Sequence, residues 1–155
     1  MAREINDAGL QLIKSFEGFK SNPYRDITGL PTIGYGTTHY QDGTQVTMQD
    51  SPIDEPTASQ LLEDLLNTEF CPQVEKIVKV PITDNQFAAL VSFTYNMGVG
   101  SLTESTILRC TNMKNFEDAS RAFLLWNKAR VRGELVVEPG LTRRRQAEAD
   151  LFLTT

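Results

Sequence analysis

The chain has 155 residues, of which 40% are hydrophobic and 23% charged, with 10 glycines, 7 prolines and two cysteines. These figures predict one globular domain over residues 1–155 and exclude a disordered, collagen-like or disulfide-stapled protein. The net charge of −5 argues against a nucleic-acid partner, because neutralising phosphates requires a basic face.

The first part of the chain predicts one helix followed by a small sheet. Leu10, Ile13 and Phe16 recur at helical spacing, and Asn6 or Asp7 can cap this helix, which Gly18 would end. Residues 19–48 are rich in Gly, Thr, Tyr and Pro. They predict a small antiparallel sheet with turns at Thr28-Gly29 and Asp42-Gly43 and short strands at 24–26, 32–37 and 44–47.

The rest of the chain predicts helices with short connections. Asp54 can cap a helix that Pro72 should end or kink near Cys71. Thr83 and Gln86 form a capping-box pattern ahead of the next helix, which should lead into a turn at residues 96–100. Further helices are expected at 105–110, 115–126 and 141–153.

These elements predict an α+β protein with two lobes. A β-rich lobe would cover about residues 18–50, and a larger all-helical lobe would combine about 54–155 with the N-terminal helix. A ligand would lie in the cleft between the lobes.

The start of the chain and its cysteines predict a cytoplasmic site of synthesis. The first 18 residues lack the apolar region of a signal peptide, and the uncharged stretch 85–103 contains enough polar residues to be read as a buried helix and turn. Cys71 and Cys110 are expected to be free, buried thiols. No cluster has metal-ligand spacing and no glycine-rich phosphate loop occurs, so neither metal nor cofactor is expected.

The chemistry is expected from two carboxyl groups in different surroundings. Glu17 would lie at the C-terminal end of the first helix, where the helix dipole and the neighbouring Phe16 and Phe19 favour a protonated carboxyl, as a general acid requires. Asp26 would lie on a strand in wetter surroundings, and the Thr32 hydroxyl could hold a water beside it. Such pairs perform glycoside hydrolysis, although two acids at this spacing are also common as solvated surface residues.

The letters around these residues resemble a known family. The likeness is carried by Phe16-Glu17-Gly18-Phe19, Tyr24-Arg25-Asp26, Thr32-Ile33-Gly34-Tyr35-Gly36, residues 87–98, Phe123-Leu124-Leu125-Trp126-Asn127 and residues 140–148. Together they resemble the phage lysozymes (endolysins) of glycoside hydrolase family 24. The family signature is Glu, eight residues, Asp or Cys, five residues, Thr, and Glu17, Asp26 and Thr32 match it without a gap.

The resemblance implies a lysozyme-like fold and a muramidase that cleaves the β-1,4 bond between N-acetylmuramic acid and N-acetylglucosamine in bacterial peptidoglycan. It makes Glu17 the general acid, Asp26 a base or electrostatic partner, and Thr32 the residue that positions the water. It also implies inversion, for which the carboxyls should stand roughly 6.5–9.5 Å apart. A monomer is expected, with no membrane insertion, that accumulates in the host cytoplasm and reaches the periplasm when a holin opens the membrane.

Two other functions fit parts of the pattern. A lytic transglycosylase needs the glutamate but no carboxylate to activate water, so Asp26 and Thr32 argue against it. A non-catalytic glycan-binding protein on the same scaffold should have lost Glu17.

Several residues are expected to support the site. Arg144, Arg145 and Glu148 share one face of the last helix with its apolar residues, so one arginine, Arg144 or Arg145, should approach Glu17 with Glu148 as its partner. Tyr35 and Asn96 are candidate cleft residues or partners of buried backbone. His39 stands two positions after the place of the family histidine and is expected to be hydrogen-bonded at the lobe edge. Residues 131–138 could wall the cleft or form an ordinary hairpin.

Overall fold

The computed structural model describes residues 3–155, and Met1 and Ala2 lie outside it. The chain forms eight helices and four strands within this range, with a π-helical turn at Leu66–Phe70. In order they are α1 Asp7–Glu17, β1 Lys20–Arg25, β2 Pro31–Gly34, α2 Glu55–Leu65, α3 Cys71–Ile77, α4 Asp84–Met97, α5 Val99–Glu104, α6 Thr106–Asn112, α7 Phe116–Phe123, β3 Lys128–Val131, β4 Glu134–Val137 and α8 Pro139–Leu153. The predicted α+β class is confirmed.

Helix α1 forms as predicted and ends at Glu17, the candidate general acid. The Asn6 side chain accepts a hydrogen bond from the Gly9 backbone N–H, and Gly18, at φ 75°, ends the helix directly after Glu17. Leu10 and Ile13 are buried. The caps therefore place Glu17 at the C-terminal end of α1.

The β lobe contains two paired strands, whereas three were predicted. Strands β1 and β2 are antiparallel, with Tyr24 opposite Thr32. The predicted third strand at 44–47 is wrong, since His39 and Gln45 form only an isolated bridge. Thr44 and Thr47 instead donate backbone and hydroxyl hydrogen bonds to the Asp42 and Asp50 carboxylates. Such local bonds compete with the sheet ladder.

Of the two outcomes expected near Pro72, an end or a kink of the helix, the structure shows a continuous helical path with an irregularity before Cys71. Helix α2 passes through the π-helical turn into α3, and Pro72 lies in the first turn of α3. Proline is tolerated there because the first turn leaves its backbone nitrogens without a helical acceptor. The irregularity therefore falls in the five residues before Cys71.

Helix α4 lies at the centre of the helical lobe. Its residues from Gln86 to Thr94 are all buried, and it packs against α1 and α8. The Thr83–Gln86 capping box starts it as predicted. The uncharged stretch 85–103 is thus a core helix followed by α5, and within residues 3–155 every helix is too short or too polar to cross a bilayer.

Two remaining features bear on the expectations. Residues 128–137 form an antiparallel hairpin, β3–β4, whose side chains are mostly exposed. Cys71 is buried, Cys110 is half-buried, and both are free thiols as predicted. Burial raises the pKa of the Cys71 thiol to about 12.

Candidate active site

A cleft of about 480 Å³ lies where the β lobe meets the helical lobe. Both candidate carboxyls and the candidate threonine line it. The full wall is Glu17, Asp26, Ile27, Thr32, Gly36, Thr38, His39, Leu65, Glu69, Phe70, Tyr95 and Asn96. The structure therefore brings together three residues that come from α1, the turn after β1, and β2.

A second cavity of about 470 Å³ adjoins Glu17 from the other side. Glu17 and Asn96 line both cavities, and the second is completed by residues at the start of α8 and just before it, among them Glu138, Leu141 and Arg144. The segment 131–138 thus comprises the end of β3, the strand β4 and Glu138, which directly follows the hairpin and is the one residue of this segment in the cavity wall. The Glu138 carboxylate also caps α8 by accepting bonds from the Gly140 and Leu141 backbone.

Arg144 holds one carboxylate oxygen of Glu17. Its Nη1 donates to Glu17 Oε2 at 2.7 Å, and the Glu17 side chain is 23% exposed against 5% for Arg144. The other oxygen, Oε1, lies beside Gly36, where a Cβ would stand 3.4 Å from it. Because Gly36 lines the cleft, Oε1 is the oxygen next to the cleft wall. The expected contact of an α8 arginine with Glu17 is therefore made by Arg144.

Arg144 is itself held by buried polar groups. Its Nε donates to Glu148 Oε2 at 3.3 Å, and its Nη2 donates to the Ser92 carbonyl at 3.3 Å. The Ser92 hydroxyl donates to the same Glu148 oxygen. The guanidinium is thus shared between two carboxylates, Glu17 and Glu148, and one carbonyl, an arrangement that only its planar fork of donors can serve.

Arg145 does not approach Glu17 but completes the same cluster. Its Nη2 donates to Asn96 Oδ1 at 2.9 Å and to Glu148 Oε2 at 3.1 Å, and both charged side chains are fully buried. Burial raises the pKa of Glu148, and the two guanidiniums oppose that rise. Asn96 therefore joins the buried cluster to the cleft that it lines.

Asp26 is fixed by the turn that it caps. Its Oδ1 accepts three hydrogen bonds, from the Thr28 hydroxyl at 2.6 Å, the Thr28 backbone at 2.8 Å and the Leu30 backbone at 3.0 Å. The Thr28 hydroxyl and these backbone donors lower the pKa of Asp26. Asp26 is therefore a carboxylate at neutral pH, in the wetter surroundings that the sequence predicts.

Thr32 is buried in β2 and its hydroxyl hydrogen is already engaged. Its Oγ1 donates to the Leu30 carbonyl at 2.9 Å, so the oxygen retains lone pairs that can only accept. A water beside Asp26 could donate to it.

Tyr35 is absent from the walls of both cavities, which favours the second of its two expected roles, that of a partner of buried polar groups. Its hydroxyl donates to Glu55 Oε2 at 2.7 Å, and its ring lies beside Lys14 and Phe19. Burial and the Glu55 carboxylate raise the pKa of Tyr35 to about 12. The side chain thus ties β2 to α2, and only its backbone carbonyl, which accepts from the Tyr95 hydroxyl at 2.9 Å, supports the cleft.

Several residues of the cleft wall escaped the sequence reasoning, among them Tyr95, Phe70 and Glu69. Tyr95 directly precedes Asn96, and burial followed by the Glu17 charge raises its pKa. Phe70 and Glu69 lie in the π-helical turn, and Glu69 Oε1 is 3.2 Å from His39 Nε2. His39 is therefore hydrogen-bonded at the lobe edge, as expected. Within residues 3–155, no group of three or more His, Cys, Asp or Glu side chains is placed to hold a metal ion.

Two carboxyl groups on one cleft, one of them paired with an arginine, are the arrangement that glycoside hydrolases of the lysozyme type use. The family profile described as "Phage lysozyme" matches residues 14–148 of this chain. The chain therefore belongs to the phage lysozyme family, and the predicted lysozyme-like fold is confirmed.

Individual relatives agree with this assignment. The endolysin of Salmonella phage P22 is 36% identical over 151 residues, covering 97% of this chain and 99% of its own. The endolysin of Bacillus phage B103 is 43% identical over 97% of this chain, but the match spans only 54% of that protein. This chain thus spans about half the length of one relative and nearly all of another.

Solved structures share the fold. An endolysin from Escherichia coli O157:H7 phage FAHEc1 superposes with a TM-score of 0.89 at 40% identity, covering 99% of this chain and 95% of that chain. The muramidase domain of SpmX from Asticaccaulis excentricus gives 0.83 at 37% identity, with 99% coverage of each chain.

Proposed function

We propose that this chain, as a single domain, hydrolyses the β-1,4 bond between N-acetylmuramic acid and N-acetylglucosamine in bacterial peptidoglycan, with inversion. The observation that carries the proposal is the one cleft lined by Glu17, Asp26 and Thr32. Two carboxyls with different partners can take the separate tasks of acid and base. The names endolysin and muramidase of the relatives fit this bond.

Glu17 is the proton donor in this mechanism. Arg144 holds Oε2, so the proton is carried on Oε1, the oxygen next to the cleft wall. As the glycosidic bond breaks, that proton passes to the departing sugar oxygen and Glu17 becomes a carboxylate. Arg144, at 2.7 Å, then balances the new charge.

Asp26 and Thr32 orient the attacking water. Oδ1 of Asp26 is occupied by three donors, so Oδ2 is the oxygen that receives a proton from the water. Thr32 Oγ1 accepts a hydrogen bond from the other hydrogen of this water, because the Thr32 hydroxyl already donates its own hydrogen bond to the Leu30 carbonyl. The lowered pKa of Asp26 makes it a weak base, which suits a role in orienting the water and stabilising the developing positive charge of the sugar.

The test uses two variants of matched shape. Glu17→Gln should abolish release of reducing ends from purified peptidoglycan, and Asp26→Asn should reduce it by about a hundredfold or more, with circular dichroism showing that both variants remain folded at the assay temperature. The first-formed product should be the α-anomer by NMR. Equal activity of wild type and Glu17→Gln would refute the proposal, a first-formed β-anomer would refute inversion, and an anhydro end would identify a transglycosylase.

The biological route follows from the same proposal. The enzyme accumulates in the host cytoplasm as a monomer and meets the wall in the periplasm once a holin opens the membrane. Expression alone should leave host cells intact, and co-expression with a holin should lyse them. Lysis by this chain alone would contradict holin dependence.

A further inference from the structure

Ile27 is an apolar side chain without protein cover on the wall of the cleft. It follows Asp26 directly, lines the same cleft as Glu17, and is as exposed as an isoleucine in an extended peptide, at 105%. A single exposed aliphatic residue is ordinary on a protein surface. Its position beside a reacting carboxylate is not, because a bound sugar chain would cover it.

The backbone that carries Ile27 is held rigidly. Asp26 Oδ1 accepts from Thr28 and Leu30, the Gly29 N–H donates to the Asp26 carbonyl, and the Asp26 N–H donates to the Leu30 carbonyl. Isoleucine is branched at Cβ, so few side-chain rotamers are open to it. Ordering this side chain against a ligand therefore costs little entropy compared with a long flexible residue.

We propose that Ile27 is a substrate-binding residue that packs against a methyl-bearing substituent of the amino sugar. This inference rests on the proposed function. The other groups on the cleft wall near the reacting centre are largely polar, among them Glu17, Thr32 and Asn96. Peptidoglycan sugars offer two kinds of methyl group, the N-acetyl methyl of either sugar and the lactyl methyl of N-acetylmuramic acid, and contact with either would remove Ile27 from water.

The contact should act on binding. It is made equally before and during bond cleavage, so its loss raises KM and leaves kcat unchanged. Covering part of an isoleucine side chain corresponds to roughly a three- to tenfold change in affinity. Ile27→Ser should therefore raise KM for peptidoglycan about three- to tenfold. Ile27→Leu preserves the apolar contact, so its KM should stay close to that of the wild type.

The matched control is Leu153→Ser. Leu153 is also an exposed aliphatic residue, but it stands at the opposite end of α8 from Arg144, roughly 13 Å along the helix axis. Both Ile27 variants should keep the wild-type thermal midpoint, since the Ile27 side chain is fully exposed, whereas Leu153 is 50% exposed and Leu153→Ser should lower the midpoint slightly without changing KM. An unchanged KM in Ile27→Ser, or a fall in kcat with KM constant, would overturn the inference.

Binding can be measured without turnover. In a Glu17→Gln background, co-sedimentation with insoluble cell walls should give a Kd about three- to tenfold higher when Ile27→Ser is added, and equal values would overturn the inference. Failure of the wild type to release reducing ends would count against the proposed function alone.

The same binding assay with chemically N-deacetylated peptidoglycan distinguishes the two kinds of methyl group. If the wild-type advantage over Ile27→Ser disappears, Ile27 contacts the N-acetyl methyl; if it persists, Ile27 contacts the lactyl methyl.

Discussion

Replacing Arg144 with lysine tests how Glu17, the proposed proton donor, is held. The guanidinium reaches Glu17, Glu148 and the Ser92 carbonyl at 2.7–3.3 Å, and a lysine ammonium can meet at most one carboxylate with good geometry. Losing one hydrogen bond to a charged buried group costs about 1.5–3 kcal/mol. The thermal midpoint of Arg144→Lys should therefore fall by roughly 3–12 °C. The catalytic effect should be larger, because a displacement of Glu17 by about 1 Å costs about a hundredfold in kcat.

The matched control is Arg121→Lys. Arg121 also pairs with two carboxylates on its own helix, but its side chain is 67% exposed, so its ion pairs contribute little to stability. Calorimetry and release of reducing ends should show both losses in Arg144→Lys and neither in Arg121→Lys. Wild-type midpoint and kcat in Arg144→Lys would show that Glu17 is not positioned by this contact.

Three further perturbations address Asp26, Gly36 and the cysteines. Thr28→Val removes the hydroxyl that lowers the pKa of Asp26 most, so this pKa should rise and the loss of activity on the acid side of the pH–rate profile should move to higher pH. An unchanged profile would show that the titration of Asp26 does not cause the acid-side loss of activity. Gly36→Ala should cost about 1–3 kcal/mol more than Gly43→Ala by urea unfolding, since both have φ 89° but only at Gly36 would a Cβ meet Tyr95 Oη, at 2.9 Å. Equal losses of unfolding free energy in the two variants would show that Tyr95 moves aside to accommodate the new Cβ. Ellman's reagent should label the native protein at Cys110 and leave the buried Cys71 unreacted until urea is added, and two rapid equivalents would contradict its burial.

Local signals in the sequence predicted the elements around the proposed catalytic residues. Asn6 and Gly18 bracket α1 and so place Glu17 at its end. The turn signal at Thr28-Gly29 predicted the connection between β1 and β2, and Thr32 lies on β2 as expected; Asp26 was expected on a strand but lies one residue beyond the end of β1, in the turn. On α8, the i, i+3 and i+4 spacing indicated that arginines face the core, which is where Arg144 and Arg145 lie.

Other features depend on contacts distant in sequence. Gly34 and Gly36 both have positive φ, so the strand ends at Gly34 and side-chain alternation does not predict where Tyr35 points. The π-helical turn is stabilised from outside its helix, because Asn67 Oδ1 accepts from the Ile5 backbone and its Nδ2 donates to Glu4. The positions of Glu69 and Phe70 in the cleft wall therefore depend on contacts with the start of the chain, which the sequence around residues 66–70 does not predict.

The basic residues of 128–145 also separate into two groups that a count of charges cannot distinguish. Arg144 and Arg145 are buried, Arg144 paired with Glu17 and Glu148 and Arg145 with Glu148, so their charges are neutralised inside the protein. Arg143 and the hairpin residues Lys128 and Arg130 are exposed. Consecutive helical residues stand about 100° apart, so one run of three arginines supplies both the core and the surface. Only the exposed group can attract an anionic wall, and helical periodicity, rather than the net charge of −5, separates the two groups.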